Sequence, residues 1–156
     1  MRNERGAAGK SCCASGAVPG WLALHSLTRN GTGRPTGRST AEIQDDRETH
    51  ALALAAEARH LVVVLKGAET IVTDGKKLYV NTTGNPGMAT GGSGDALTGV
   101  IAALIAQKMD PFDAACLGVY AHGLAGDIAR DQNGEVGMVA GDIVDSLADA
   151  FHHLAP

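Results

Sequence analysis

At 156 residues, with 44% hydrophobic and 19% charged side chains, the chain is long enough for one globular domain and too short for two ordinary ones. Five aromatic residues against 21 glycines mean that the core must be built from Ala, Val, Leu and Ile. The apolar run nearest to a membrane span, Ala96 to Ala106, contains Thr98 and Gly99 and falls short of the ~20 residues required, which excludes a transmembrane helix. The net charge of −4 divides unevenly, +5 over residues 1–38 and −9 over residues 39–156, so the body of the chain lacks the basic footprint of a nucleic-acid binder. The three cysteines, two of them adjacent at Cys12 and Cys13, match neither a zinc site nor a disulfide framework and read as inert thiols in a reducing cytosol.

In chain order, residues 1–38 carry seven glycines with scattered Arg, Ser and Thr, and no period beyond the short stretch Val18 to Leu24. A transit peptide would need an apolar face, and a secretory signal is broken by Pro19 and Gly20. The segment therefore reads as an atypical, disordered or non-native leader. From Ser39 the signals become regular. Ser39 and Glu42 have capping-box spacing, and Ile43, the stem of Arg47, Ala51, Leu54 and Ala58 then recur at helical spacing. The continuous run Leu61 to Leu65 predicts a strand buried on both faces. Thr70 to Thr73 and Leu78 to Val80 predict short strands around a hairpin turn at Asp74-Gly75-Lys76-Lys77.

Three helices are predicted after that. One begins near Asp95 and carries Leu97, Val100, Ile101, Leu104 and Ile105. A second opens with Asp110 as N-cap and Pro111 at the first helical position. The third starts at Gly141-Asp142, with Ile143, Leu147, Phe151 and Leu154 on its buried face. Helix, buried strand, hairpin and three helices predict an α/β layered fold with about four helices and too few strands for a broad sheet.

Between the last strand and the first long helix lies Asn81-Thr82-Thr83-Gly84-Asn85-Pro86-Gly87-Met88-Ala89-Thr90-Gly91-Gly92-Ser93-Gly94-Asp95. Amides of Gly92, Ser93 and Gly94 at a helix start, where unpaired N–H groups and the helix dipole favour negative charge, predict an anion hole for phosphate. The Walker pattern fails because Ser93 stands where lysine is required, and a dinucleotide fingerprint fails because Leu97 replaces its last glycine. What remains is Gly-x-Gly-Asp. Asp95 is placed either to take a proton from an attacking hydroxyl beside the anion or simply to cap the helix. His122 reads as a satisfied histidine on a packed helix, and His152-His153 as a solvated tail.

Lys66-Gly67-Ala68-Glu69-Thr70, the string Asn85-Pro86-Gly87-Met88-Ala89-Thr90-Gly91-Gly92-Ser93-Gly94-Asp95 and Leu117 to Asp127 together resemble the ADP/ATP-dependent NAD(P)H-hydrate dehydratases of the ribokinase-like superfamily. The resemblance runs from about Ser39 to Phe151. It implies the C-terminal part of a layered α/β/α domain and a lyase that repairs nicotinamide cofactors. NADH or NADPH hydrated at C6 of the ring would be phosphorylated on the new hydroxyl by ADP or ATP, with Mg2+, and would then lose phosphate. Carried over residue by residue, the resemblance assigns nucleotide binding to Lys66, Gly67, Ala68, Glu69, Thr70 and Gly94, and assigns catalysis and contact with the hydrated ring to Asp95. It also implies a cytoplasmic homo-oligomer working with an NAD(P)H-hydrate epimerase. Two other readings are another ribokinase-like small-molecule kinase and a non-catalytic remnant.

The family's T-P-H-P-G-E-type segment has no counterpart here, and His25 does not match its histidine. Without the N-terminal part of the domain, Leu61 to Leu65 would present a bare apolar edge. The chain is therefore expected to be weakly stable or oligomeric, and inactive as a dehydratase on its own.

Overall fold

A computed structural model of the chain describes residues 21–26, 46–57 and 61–155. The elements in order are β1 (Trp21–Ser26), α1 (Arg47–Glu57), β2 (Leu61–Lys66), β3 (Ile71–Thr73), β4 (Leu78–Val80), a 3₁₀ turn (Pro86–Met88), α2 (Ser93–Ala106), α3 (Pro111–Asn133), α4 (Ala140–Asp145) and α5 (Leu147–Leu154). The four strands form one mixed sheet in the order β1-β2-β3-β4. β1 runs parallel to β2, whereas β2–β3 and β3–β4 are antiparallel.

β2 shows why this becomes a layered fold. Side chains alternate between faces along a strand. Val62 and Val64 pack with Val72 against Leu97, Ile101, Ala115 and Val119 of α2 and α3. Val63 meets Leu54 and Ala55, and Leu65 with Ile71 meets Ala51, all on α1. Helices on both faces leave no polar side, so the sequence there is uniformly apolar. Burying one such valine contributes roughly 1.5–3 kcal/mol. The hairpin is closed by side chains. Asp74 accepts from the amides of Lys76 and Lys77 at 2.8 and 2.7 Å, and Thr73 donates to the Lys77 carbonyl at 2.6 Å.

α3 is the scaffold of the C-terminal half. Asp110 accepts from the Phe112 amide at 3.0 Å and Pro111 opens the helix, as the sequence predicts. Its inward face is small, including Ala114, Ala115, Gly118, Ala121, Gly123, Ala125, Gly126 and Ala129. Neighbouring elements can therefore lie close to its backbone.

The structure corrects the expected organisation in three places. Residues 21–26, within the segment expected to be a disordered or non-native leader, form a strand paired with β2 along its whole length, from Trp21 opposite Leu61 to Ser26 opposite Lys66. The rest of that segment, together with Ser39, Glu42, Ile43 and Ala58, lies outside the described residues. The edge of β2 is consequently occupied, and among the described residues the edge strands of the sheet are β1 and β4. The last predicted helix is two, joined at the buried Ser146. Ile143 and Ala150 pack with Ala125 and Ala129 of α3, whereas Leu154 is exposed rather than buried. Among the described residues, no helix is long and apolar enough to cross a membrane.

Candidate functional site

Two loops meet at the end of the sheet. The first follows β2. Its backbone is held by Arg47 of α1, which donates to the carbonyls of Ala68 and, at 3.2 Å, Leu65. Glu69 adopts a left-handed conformation with φ of 54°, and the buried Thr70 turns its hydroxyl onto the Gly67 carbonyl at 3.0 Å. Gly67, Ala68 and Glu69 are exposed. Of the residues assigned by resemblance, Gly67 to Glu69 thus face solvent and Lys66 is half-buried, while the Thr70 hydroxyl is committed internally.

The second loop, from Asn81 to Gly92, is stitched to α3. Thr83 donates to the Tyr120 carbonyl at 2.9 Å. Asp127 accepts from the Gly84 amide at 2.8 Å and from the Asn85 side chain at 3.0 Å. Asn85 in turn donates to the Gly126 carbonyl at 2.9 Å and caps the 3₁₀ turn through the Gly87 amide at 3.1 Å. Sequence reasoning missed Asn81, Asn85 and Asp127 as the residues that shape the loop. The visible signal was Gly126-Asp127, whose small and acidic pair suits a helix gripping a backbone.

Gly92 then takes a left-handed conformation with φ of 89°, and its carbonyl accepts from Asp95 and Ala96, each at 3.0 Å. These are the first bonds of α2, so the amides of Ser93 and Gly94 precede the helical ladder. The Ser93 amide makes only a long 3.4 Å contact with the Thr90 carbonyl. α2 therefore begins at Ser93, two residues before the predicted start, and Asp95 lies in its first turn.

Lys66 from the first loop reaches this turn. A Cβ placed on Gly94 would lie 3.1 Å from the Lys66 Nζ. Burial pushes the Lys66 amine below its ordinary pKa, and the charge of Asp95 opposes that shift. Asp95 itself is exposed rather than turned inward. Lys66, Gly94 and Asp95 thus come together from segments nearly thirty residues apart. The open groove of about 390 Å3 lies elsewhere on the same loop, between Pro86, Gly87 and Thr90 on one side and Glu135, Val136 and Met138 on the other, and it is lined by neither Asp95 nor Lys66.

His122 underlies the turn. The residue is 5% exposed, and its Nε2 lies 3.0 Å from the Ser93 carbonyl. Burial, reinforced by Lys66, pushes its pKa from 6.5 down to about 4. A depressed value means that the unfolded chain takes up the proton first on acidification. The associated stability is complete above about pH 6.5 and is lost as the pH falls toward about 4. Stability from urea unfolding is expected to drop by roughly 2 kcal/mol between about pH 7 and about pH 5, and His122→Gln should flatten that slope.

Among the described residues no three His, Cys, Asp or Glu side chains group as metal ligands. The donors here are amides and an ammonium group, which suit phosphate oxygens rather than a bare cation.

The NAD(P)H-hydrate dehydratase family model matches residues 33–149, beginning within the segment that sequence reasoning set apart. The bifunctional NAD(P)H-hydrate repair enzyme of Moorella thermoacetica is 49% identical over 123 residues, which cover 78% of this chain and 23% of that protein. The ADP-dependent (S)-NAD(P)H-hydrate dehydratase of Neisseria meningitidis is 42% identical over 112 residues, covering 70% of this chain and 38% of the relative. The ADP/ATP-dependent NAD(P)H-hydrate dehydratase of Bacillus subtilis, co-crystallised with ATP/Mg2+, superimposes with a TM-score of 0.79 at 29% identity. That alignment covers 86% of this chain and 48% of that structure. The chain thus spans about a quarter to a half of the proteins it matches. Its layered architecture is the corresponding part of the ribokinase-like fold. Residues 33–149 place this chain in the NAD(P)H-hydrate dehydratase family.

Proposed function

We propose that the chain carries out the nucleotide-dependent dehydration of hydrated NADH or NADPH, with Lys66 to Thr70 and the 92–95 turn as the nucleotide's phosphate site and Asp95 as the base. The observation that carries this reading is the convergence of the Lys66 amine and the exposed Asp95 carboxylate on one helix start. A hydroxide is a poor leaving group, whereas a phosphate ester leaves readily. Asp95 takes the proton of the C6 hydroxyl as that oxygen attacks the terminal phosphoryl group, whose bond to the bridging oxygen breaks to release AMP from ADP or ADP from ATP. The amides of the anion hole at Gly92, Ser93 and Gly94, together with Lys66, hold the charge that develops there, and loss of one such donor typically costs ~3 kcal/mol. The ring nitrogen's lone pair then expels phosphate from C6, and loss of a proton from C5 neutralises the ring and restores the C5–C6 double bond.

Mg2+ belongs to this proposal as part of the nucleotide co-substrate. A small hard cation keeps waters and phosphate oxygens as its ligands, so it needs no dedicated cage of side chains here. A cytoplasmic setting, association of copies and an epimerase working on the same cofactor complete the proposal. The bifunctional character of the relatives supports the last of these.

The inactivity expected from sequence rested partly on a bare β2 edge, and β1 fills that edge. The assay that decides is recovery of reduced-nicotinamide absorbance when the purified chain receives hydrated NADH with ADP or ATP and Mg2+. Release of free phosphate with that recovery supports dehydration. Accumulation of a stable phosphate ester instead identifies a small-molecule kinase, and absence of nucleotide binding refutes the proposal. Lys66→Met is expected to weaken ADP or ATP binding about ten- to hundredfold by calorimetric titration, the worth of one charge-assisted contact.

A further inference from the structure

The dehydratase reading assigns no task to His122, which lies on α3, away from both loops in sequence. Its ring is nevertheless buried against the start of α2, with Nε2 3.0 Å from the Ser93 carbonyl. A carbonyl can only accept, so Nε2 carries a proton, and in the neutral ring Nδ1 is then bare. Burial pushes the ring's pKa down to about 4, which keeps it neutral beside Lys66 at neutral pH. A neutral donor avoids placing a second cation against the Lys66 ammonium.

The consequence passes through one peptide plane. The Ser93 carbonyl and the Gly94 amide belong to the same rigid trans peptide unit and point in opposite directions. Whatever fixes the oxygen also fixes the direction of the Gly94 N–H. Ser93 is itself buried, so its carbonyl lies where little water can serve as a substitute donor. The next residue of α3, Gly123, bears on the other end of the loop, since a Cβ there would strike Thr83. Two adjacent positions of one helix therefore hold both ends of the glycine-rich segment.

We propose that His122 is a positioning residue, which by donating from Nε2 to the Ser93 carbonyl holds the Gly94 amide in the direction that receives a nucleotide phosphate. This rests on the phosphate-site reading given above, and the experiment separates the two.

Nitrogen-15 spectra of the whole 156-residue chain are expected to show His122 in the Nε2–H tautomer, with a slowly exchanging ring proton. ATP with Mg2+ is then titrated into the native chain, His122→Gln and His122→Leu. The glutamine amide can occupy the place of Nε2 and should keep the affinity within about threefold, whereas leucine should weaken it about tenfold. Leucine should also shift the Gly94 amide resonance and speed its hydrogen exchange, and glutamine should restore both. If the leucine variant fails to fold, His122→Asn, whose amide stops short of the carbonyl, takes its place. A bare Nε2, a leucine variant that binds like the native chain, or a glutamine variant no better than leucine would overturn the inference. If the native chain binds no nucleotide, the phosphate-site reading fails. The tautomer and the Gly94 exchange rates then decide the role of His122 on their own.

Discussion

Asp95→Asn is expected to lower nucleotide-driven dehydration by roughly 10²–10⁴, the usual worth of a positioned general base. Binding of ATP with Mg2+ should stay the same or tighten in the variant. Asparagine keeps the size and a hydrogen-bonding oxygen, but it removes a negative charge from beside the site proposed for the phosphates. The fold should survive, because Asp95 is exposed and a carboxylate in the first turn of a helix contributes only ~0.3–1 kcal/mol through the dipole. Parallel measurement of turnover, titration calorimetry and thermal unfolding tells the readings apart. Lost turnover with retained binding supports a base. A variant that turns over normally removes Asp95 from catalysis, and one that merely unfolds earlier marks it as a favourable charge at the helix start, where Gly92 holds the N-cap position without a side-chain bond.

Gly123→Ala is expected to destabilise the protein by about 2 kcal/mol or more, against the trend of helix propensity. In an exposed helix interior the same change gains ~1 kcal/mol. Here the new Cβ would lie 2.1 Å from the Thr83 hydroxyl oxygen and 2.8 Å from both the Thr83 carbonyl carbon and its oxygen. Two of those three atoms are backbone, so a rotamer change cannot relieve the clash, and overpacking of this kind costs ~1–3 kcal/mol. The Thr83 bond to the Tyr120 carbonyl would be strained as well. Gly99→Ala is the matched control. It lies in α2, is exposed, and has nothing within 4 Å of a new Cβ. Urea unfolding should show Gly99→Ala slightly stabilised and Gly123→Ala clearly weakened. Equal effects would mean that the contact between loop and helix contributes nothing to stability.

The elements legible in advance were those governed by local chemistry. The run Leu61 to Leu65 announced a strand covered on both faces, because no polar residue interrupts it. Asp74-Gly75 announced the hairpin turn, and Asp110-Pro111 the start of α3. β1 was hidden because its one local signal, the short stretch Val18 to Leu24, is broken by Pro19 and Gly20 and sits in Arg- and Gly-rich sequence. Among the described residues, its backbone pairs with a strand some forty residues away. The break at Ser146 was hidden for a related reason. Ile143 and Ala150 both reach the small face of α3, and that requirement does not show in the periodicity of the segment itself.

Sequence by itself determined the chemistry on offer at the candidate site: a glycine-rich loop leading into a helix, an acidic residue in that helix's first turn, and a lysine closing a buried strand. These depend on residue type and near neighbours, which a one-dimensional reading captures. Only the tertiary structure decided which of them meet. It carried the Lys66 amine to Gly94 and turned Asp95 outward, while committing the Thr70 hydroxyl to its own loop. It also set His122 beneath the Ser93 carbonyl. Those outcomes depend on how closely α3 approaches the loop. That distance is set by the small residues at Gly123 and Gly126 packing against Thr83 and Met88, pairs separated by about forty positions in the chain.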